Sequence, residues 1–431
     1  MNPTIQTSRS CSGCREYREL AQQLRLTAPI SAIRMSRPQA RVPRVVLNNH
    51  YSSTRDAMLV IFLRGGMDGL TTVVPYGDPN LYAANLRPNL AVPPPGQNGG
   101  AVDLDGFFGL APAMNALLPA YQNNDLLIVH ATGSPDPTRS HFDAFQYMEY
   151  GIPLQPLSLF TGWLGRHLQS TPPMSNGPLR GVALNYLVPK TLAGAPGTLP
   201  IPDPANYAFP GRPESSPLRE EALTDMVEAT QEPVKSAGLN TMNTIDLLES
   251  IDFDNYVPGN GAVYPQTGFG DAVRSAAALI KAEIGVEVAM VELGGWDTHA
   301  QQQGQINNLM FDLSQAMAAF HADTQDTANP VTTIAMSEFG RRADANGSAG
   351  TDHGHGNCMM VMGSGINGGQ VIADWTDNAL LHPDNLYQGD SLDVTIDYRD
   401  IIAEILQERM ENIDLASVFP NFTPTMRGVT I

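Results

Sequence analysis

The chain has 431 residues, enough for one large core with insertions or for two domains. It carries 25 Lys and Arg against 44 Asp and Glu, and a net charge of −19 argues against nucleic-acid binding by the chain as a whole. No apolar run approaches the length that crosses a bilayer, so no integral membrane segment is predicted.

Residues 1–56 are predicted to be a basic leader or a strap on the domain surface. Residues 1–50 contain eight Arg against two acidic residues, and they lack the continuous apolar stretch of a secretory signal. A chain without a signal there would be cytoplasmic. Cys11 and Cys14 form a lone Cys-x-x-Cys without the second pair that a zinc site needs, which leaves free thiols or a redox couple open.

From residue 57 onward, short apolar runs alternate with segments of helical periodicity. The runs that predict buried strands are 57–63, 125–129, 286–293 and 331–336. The segments that predict helices are 111–121, 271–284, 306–322 and about 398–412. This alternation predicts an α/β domain over 57–431, with a mainly parallel central sheet and helices on both faces.

One stretch interrupts this alternation. Residues 170–236 are rich in Pro and Gly and poor in apolar periodicity, which predicts an insertion or lid at about 170–245. Ligands of parallel sheets collect at the carboxyl ends of the strands, so the polar residues that follow each run are the candidates for a site.

Two motifs follow the first two runs. Asp68 lies among glycines just after the first run, where it is either an exposed carboxylate or an Asp that stabilises a turn. Arg139, Ser140 and His141 follow the second run and precede a helix. Ser140 there is either a helix cap or a nucleophile near free backbone amides, and Arg139 offers charge to an anionic substrate.

Two further motifs follow the last two runs. Asp297 and His299 stand two residues apart after the third run, a spacing that lets both turn toward one ion. Ser337-Glu-Phe-Gly-Arg-Arg follows the fourth, with a second group of polar residues shortly after it. The potential metal ligands in this part of the chain are Glu338, Asp352, His353 and His355.

These motifs resemble the bacterial family named domain of unknown function 1501, within the alkaline phosphatase and sulfatase superfamily. The resemblance rests on Phe62-Leu-Arg-Gly-Gly-Met-Asp-Gly-Leu, Arg139-Ser-His-Phe-Asp-Ala, Gly294-Gly-Trp-Asp-Thr-His, and Ser337-Glu-Phe-Gly-Arg with Asp352-His. It implies an alkaline phosphatase-like fold and one or two divalent ions, with Zn, Mn, Ca or Mg all open. Family members are commonly exported, so the resemblance implies a periplasmic or exported protein.

The resemblance also implies roles for single residues. Asp68 and Ser140 would serve one metal, with Ser140 as nucleophile, and Asp297 and His299 would bind the other. The usual Asp-His pair of the superfamily corresponds here to Glu338 and Phe339, which removes one ligand. The last histidine ligand corresponds to His353, with His355 as an alternative, and His141 would complete an altered site.

The sequence therefore predicts a metal-dependent hydrolase of an anionic small-molecule or polymeric ester of phosphate or sulfate. Ser140 or a water on the metal would be the nucleophile, Arg139 or Arg341 would offset the developing negative charge, and a histidine would protonate the leaving group. The alternative is a non-catalytic protein of the same fold that binds a ligand or partner around a structural metal. The sequence does not indicate the substrate or the oligomeric state.

Overall fold

The computed structural model describes residues 55–83, 86–154 and 159–431. The predictions for Cys11, Cys14 and most of the basic leader concern residues 1–54, which lie outside these ranges.

The strands, in chain order, are β1 (Ala57–Leu63), β2 (Val73–Val74), β3 (Val102–Asp103), β4 (Gly109–Leu110), β5 (Leu126–Gly133), β6 (Gly181–Ala183), β7 (Thr198–Pro200), β8 (Val288–Leu293), β9 (Val331–Ser337), β10 (Asn357–Met362), β11 (Gln370–Ile372) and β12 (Ile396–Asp397). The α-helices are α1 (Gly69–Thr72), α2 (Leu118–Gln122), α3 (His141–Tyr150), α4 (Trp163–Ser170), α5 (Ser216–Glu228), α6 (Val234–Glu249), α7 (Gly268–Lys281), α8 (Gln302–Asp323), α9 (Tyr398–Glu408) and α10 (Leu415–Val418).

The described strands form a central sheet in the order β11, β5, β10, β9, β1, β8, β6, β7, with β12 also beside β5. β10 runs antiparallel to β5 and β9, and the other neighbours in this sheet pair in parallel. The prediction of a mixed α/β domain with a mainly parallel sheet is confirmed. β2, β4 and β3 form a separate small antiparallel sheet.

β1 lies in the middle of the sheet, and all seven of its residues are buried. Its uninterrupted apolar run suits a strand that is covered on both faces. Leu59, Ile61 and Leu63 point into one core with α7 and α8, whereas the alternate residues point into a second core with α4 and α9. The four predicted strands are confirmed as β1, β5, β8 and β9.

The register of the central strands determines where the polar loops emerge. Leu63 at the end of β1 lies level with Leu293 of β8 and Ser337 of β9. The segments that follow these three strands therefore leave the sheet side by side. β10 is antiparallel to β9, so the segment that precedes Asn357 reaches the same edge.

The predicted helices are confirmed in position, with one difference. Residues 112–117 form a 3-10 helix that continues into the short α2, and a proline stands at the start of each. α9 begins at Tyr398 as predicted and packs its apolar side chains on the sheet.

The insertion predicted over residues 170–245 is not confirmed. β6 and β7 lie within it and extend the central sheet through β8. The segment also contains three short 3-10 helices, at 190–192, 204–206 and 213–215, together with α5 and the first part of α6, which pack on each other. Among the helices of the described ranges, none has the length and apolar character needed to cross a membrane.

Candidate metal centre

Three histidines and one aspartate meet at the carboxyl edge of the central sheet. His141 begins α3, Asp297 and His299 follow β8, and His353 precedes β10. The Nε2 atom of His353 lies 3.0 Å from Nε2 of His141 and 2.9 Å from Nε2 of His299. The Oδ1 atom of Asp297 lies 3.1 Å, 2.9 Å and 3.4 Å from Nε2 of His353, His299 and His141 respectively. We call these four residues the histidine cluster.

Each histidine of the cluster has its other ring nitrogen, Nδ1, against an oxygen that accepts a hydrogen bond. The pairs are His141 with Glu338 Oε1 at 2.7 Å, His299 with Asp352 Oδ1 at 3.0 Å, and His353 with the carbonyl oxygen of Arg139 at 2.7 Å. We assign the proton of each neutral imidazole to Nδ1, because these oxygens have no proton to give. The three Nε2 atoms then present lone pairs to one another.

The centre of the cluster is therefore crowded with electron pairs. The Nε2 atom of His353 and Oδ1 of Asp297 each lie 2.9–3.4 Å from Nε2 of both His141 and His299. Such an arrangement is repulsive unless a cation lies among the four atoms. The ligand atoms of His141, Asp297 and His353 are close enough to share one ion. In tetrahedral zinc sites the ligands lie about 2.0–2.1 Å from the metal, hence roughly 3.3 Å from each other, and these residues fit that geometry.

The pKa shifts of Asp297 and His353 favour the forms that bind a cation, whereas that of His141 favours its protonated form. Burial tends to raise the pKa of Asp297, but its hydrogen bond with Arg341 and the charge of Arg341 outweigh this and hold the pKa well below its usual value. Burial lowers the pKa of His353, which favours its neutral form. For His141 burial lowers the pKa, yet the hydrogen bond and charge of Glu338 reverse this and leave the pKa raised. Metal ligation requires the deprotonated forms of such groups.

Arg341 organises the loops around the cluster. Its guanidinium is buried and donates to the carbonyl oxygens of Gly65, Gly66, Trp296 and Thr351 as well as to Asp297 Oδ1. A guanidinium has five N–H donors, and the carbonyls occupy most of them. Arg341, predicted as a catalytic cation, is therefore placed to hold Asp297 rather than to reach a substrate.

The backbone conformation and close packing at position 65 explain why the loop after β1 contains a glycine there. Its φ of +121° lies in the region that other residues rarely adopt, and a Cβ there would lie 2.5 Å from the backbone nitrogen of Asp297. Its own N–H donates to Glu338 Oε1 at 2.8 Å. The absence of a side chain lets the β1 loop pack directly against the loop that carries Asp297.

Phe339 forms a wall of the cluster. Its buried ring lies 4.8 Å from the ring of His141 and 5.2 Å from the ring of His353, measured between centroids. Phe339 thus packs against two cluster histidines.

Glu338 and Asp352, both predicted as metal ligands, lie behind the histidines. Glu338 is buried, and its two oxygens accept from His141 Nδ1, the Gly65 amide and Ser337 Oγ. Asp352 accepts from His299 and from Asn346, and these hydrogen bonds lower its pKa. In metal sites, carboxylates in this position orient the histidines and increase their basicity.

Asp68 lies outside the histidine cluster. Its buried carboxylate pairs with Arg87 Nη1 at 2.7 Å and also accepts from Thr71 and Gln302. Burial tends to raise the pKa of Asp68, but the charge of Arg87 outweighs it and leaves the pKa lowered. Its oxygens already have a full set of protein donors, so the structure gives Asp68 the surroundings of an ion pair rather than of a ligand.

Ser140 caps α3. Its Oγ accepts the amide of Asp143 at 3.5 Å, a long contact that leaves the hydroxyl weakly held. Arg139, beside it, directs its guanidinium toward Asp390, with Nη1 at 2.9 Å from Oδ2. Ser140 is thus adjacent in the chain to His141, whereas Arg139 contributes its backbone carbonyl to the cluster.

His355 stands two residues from His353 but outside the cluster. Its ring stacks on Tyr387 with the centroids 4.0 Å apart, and burial lowers its pKa to about 4. The chain bends at His355, so the two histidines do not share one environment.

Two residues around the cluster were not predicted. Asp390 pairs with both Arg139 and Arg342, and the Asn346 amide donates to Asp352 Oδ1 and to the carbonyl oxygen of His299. Asn346 stands six residues before Asp352, in the same glycine-containing loop, which is the signal that would have suggested it. Asp390 follows Gly389 in a separate polar loop and offers no such signal.

Comparison with protein families assigns the chain to one sequence family. The family model described as "Protein of unknown function (DUF1501)" matches residues 127–418, about two thirds of the chain. The chain belongs to this family. All four residues of the histidine cluster lie within the matched range.

Comparison with individual proteins gives remote similarities. No curated protein sequence matches the chain. Among solved structures, alkaline phosphatase from the Antarctic bacterium TAB5 is 11% identical, with a TM-score of 0.30 over 74% of this chain and 95% of that chain. A histidine-to-aspartate mutant of TAB5 alkaline phosphatase with Mg bound in its M3 site is also 11% identical, with a TM-score of 0.28 over 76% of this chain and 96% of that chain.

Proposed function

We propose that the chain is a metal-dependent hydrolase of phosphate or sulfate esters, with an alkaline phosphatase-like fold. One divalent ion would be held by His141, Asp297, His299 and His353. The observation that carries the proposal is the position of His353 Nε2 and Asp297 Oδ1, each 2.9–3.4 Å from Nε2 of both His141 and His299, with each histidine oriented from behind by an acceptor.

The ligand set indicates which ions fit. Three imidazoles with one carboxylate suit zinc, or another transition ion such as manganese. Calcium and magnesium prefer sites built from oxygen ligands, so this nitrogen-rich set disfavours both. A bound ion would supply Lewis-acid polarisation of an ester oxygen.

Ser140 is the proposed nucleophile. It directly precedes His141, and within the described residues its hydroxyl makes one contact, a long one of 3.5 Å with the amide of Asp143. Attack of Oγ on phosphorus or sulfur would form a new O–P or O–S bond while the bond to the leaving alcohol oxygen breaks, and the Oγ proton would pass to that oxygen to give the free alcohol. Water would then release the group from Ser140 and restore the hydroxyl. The amides of the first turn of α3 favour negative charge at this position.

The charge beside the cluster supports an anionic substrate. Arg139 and Arg342 both pair with the carboxylate of Asp390, so two guanidinium groups lie beside one carboxylate near the cluster. Both guanidinium groups retain exposed surface, with side-chain exposures of 22% and 37%. A phosphate or sulfate group would meet charge-assisted donors there.

Elemental analysis of the purified chain tests the metal site. We expect about one equivalent of a divalent ion in wild type, and its loss in Asp297→Asn and in His353→Ala, because each change removes a ligand. His382→Ala is the matched control, since His382 is half exposed and its ring contacts Asp384 rather than the cluster. A wild-type chain that holds no metal and takes none up would overturn the proposal.

Turnover of aryl phosphate and aryl sulfate esters tests the chemistry. Ser140→Ala is expected to abolish turnover while leaving metal content unchanged, since Ser140 is not among the ligands. Equal turnover in wild type and Ser140→Ala would remove Ser140 from the mechanism. If removing the metal lowers the melting temperature and no ester is turned over, the chain is instead a binding protein with a structural metal.

A further inference from the structure

A second concave site lies beside the first turns of α8. This cavity of about 450 Å³ is bounded by α8 on one side and by residues 90–93 and 111–113 on the other. Its volume falls within the range of about 300–1,000 Å³ that is typical of small-ligand sites. We call it the α8 cavity.

The wall of the α8 cavity carries no ionisable side chain, although the whole chain has 44 acidic and 25 basic residues. An ionic ligand would lose hydration there without meeting an opposite charge, which is costly. The cavity therefore selects against the anionic esters that suit the histidine cluster. Its ligand has to be neutral.

Carboxamides provide most of the polar groups in the wall. Gln303, Asn307 and Asn308 line the cavity from α8, and among the described residues their side chains make no hydrogen bond within the protein. Each carboxamide offers two donor hydrogens and an acceptor oxygen. Adjacent hydroxyl groups of a sugar, which both donate and accept, match such pairs.

An exposed aromatic ring completes the site. Phe311 lies on α8 one turn beyond Asn307 and is 52% exposed, although it is a large apolar side chain. Leu90, Val92 and Ile306 add apolar surface to the wall. A sugar ring has an apolar C–H face and a polar rim, so one ligand satisfies both the aromatic ring and the carboxamides.

The floor of the cavity is fixed by Gln302. Its buried side chain donates to Asp68 Oδ2 at 2.5 Å and accepts from Thr298 and Thr351 at 3.0 and 2.6 Å. These hydrogen bonds occupy Gln302 and separate the α8 cavity from the loop that carries Asp297 and His299. None of the four residues of the histidine cluster lines the α8 cavity.

We propose that the α8 cavity binds a neutral saccharide. A neutral peptide is the competing ligand, but the usual peptide-binding modes add a strand to a sheet edge or seat a helix in an apolar groove. The wall of this cavity contains neither, being formed by α8, by Thr71 of α1, by the start of the 3-10 helix at Pro112 and by irregular segments. The inference does not depend on the proposed hydrolase activity.

Calorimetric titration of the full-length chain tests this inference. The probes are neutral hexasaccharides of glucose and mannose in several linkages, hexagalacturonate as a charged analogue, and a neutral hexapeptide. We expect at least one neutral saccharide to bind and hexagalacturonate not to bind. Phe311→Ala and the double change Asn307→Ala/Asn308→Ala should each weaken binding at least tenfold.

Two controls make the result specific. Gln305→Ala removes an exposed carboxamide of the same helix that does not line the cavity, and it should bind as wild type does. Asp297→Asn should also bind as wild type does, which separates this site from the metal centre. The proposal is overturned if no neutral saccharide binds, if the peptide or hexagalacturonate binds instead, or if the cavity variants bind normally. Saccharide binding that is lost in Asp297→Asn would likewise overturn it.

Discussion

Asp68 and Asp297 occupy comparable places in the sheet but have opposite surroundings. Each follows one of two paired parallel strands, β1 and β8, and each is preceded by glycines. The Asp68 carboxylate receives donors from Arg87, Thr71 and Gln302. Asp297 receives a donor from Arg341 but otherwise faces histidine nitrogens that have lone pairs to share. The balance of donors and acceptors, rather than the motif, distinguishes a structural carboxylate from a candidate ligand.

The largest effect is expected from a change in the buried pair of Asp68 and Arg87, because Asp68 is the structural carboxylate of this comparison. Asp68→Asn leaves a buried guanidinium without its counter-charge, and we expect a loss of about 3–5 kcal/mol in the free energy of unfolding. Metal content should stay at the wild-type level, because Asp68 is outside the cluster. Urea unfolding and elemental analysis of the same samples measure both quantities.

A double change provides the control for this prediction. Asp68→Asn with Arg87→Met removes both charges, so it should recover a large part of the lost stability. If Asp68→Asn instead loses the metal while its unfolding curve stays near that of wild type, Asp68 is a ligand and the distinction drawn here is wrong.

His130, near Asp68, can be compared with the cluster histidines. Both of its ring nitrogens have backbone hydrogen-bond partners. Its Nε2 pairs with the carbonyl oxygen of Val73 at 2.9 Å and its Nδ1 accepts the Ala131 amide at 2.8 Å. Burial lowers its pKa from 6.5 to about 4. His130 therefore becomes protonated below pH 6.5 in the unfolded chain, but only below about pH 4 in the folded chain.

Stability should consequently fall as the pH decreases from 6.5 to about 4. The contribution of His130 is ~1.4 kcal/mol per pH unit, on the order of 3 kcal/mol over the whole interval. Urea unfolding at several pH values measures it, with His130→Gln as the comparison. The slope of stability against pH should be shallower in His130→Gln, and an unchanged slope would show that other groups cause the loss.

Much of the fold could be predicted because its central strands are locally unambiguous. The apolar run of β1 is bounded by Asp56 and Arg64 and contains no residue that breaks a strand. The strands β6 and β7 were not predicted, because three residues each among prolines and glycines give no periodicity. β6 joins the sheet by pairing with β8, which lies about a hundred residues away in the sequence, and β7 pairs with β6.

The candidate site could be predicted in composition but not in arrangement. All four cluster residues were chosen from the sequence, because each follows or precedes a predicted strand. Glu338 and Asp352 were assigned as ligands, whereas the structure places them behind histidines, and sequence alone cannot separate these two positions. Likewise, only the bend at His355 separates it from His353, and the stacking partner of His355, Tyr387, is distant in sequence.

Glycine at position 65 tests how closely the β1 loop must approach the cluster. Gly65→Ala forces a side chain into a positive φ and places its Cβ 2.5 Å from the backbone nitrogen of Asp297. We expect a loss of stability at the upper end of about 1–3 kcal/mol, together with weaker metal binding. Gly96→Ala is the matched control, since Gly96 also has a positive φ but its Cβ would meet nothing within 4 Å. Equal effects of the two changes would show that strain alone is responsible.

The carboxylates behind the histidines test whether a carboxylate acts as a metal ligand or only orients one, and the expected effects are the smallest. Glu338→Gln and Asp352→Asn keep side-chain size but remove the charge that faces Nδ1 of His141 and His299. Changes in such partners weaken metal binding by about 10–100-fold, or roughly 1.4–2.7 kcal/mol. Competition with a chelator of known affinity measures the change.

The two carboxylates should differ in a predictable direction. Glu338 is buried, whereas the side chain of Asp352 is 46% exposed, so solvent screens the charge of Asp352 more strongly. We therefore expect Glu338→Gln near the hundredfold end and Asp352→Asn near the tenfold end, with both variants retaining about one equivalent of metal at saturation. Complete loss of metal in Asp352→Asn would make Asp352 a ligand. It would then place Asp352 with Asp297 in the comparison, as a carboxylate that binds the metal.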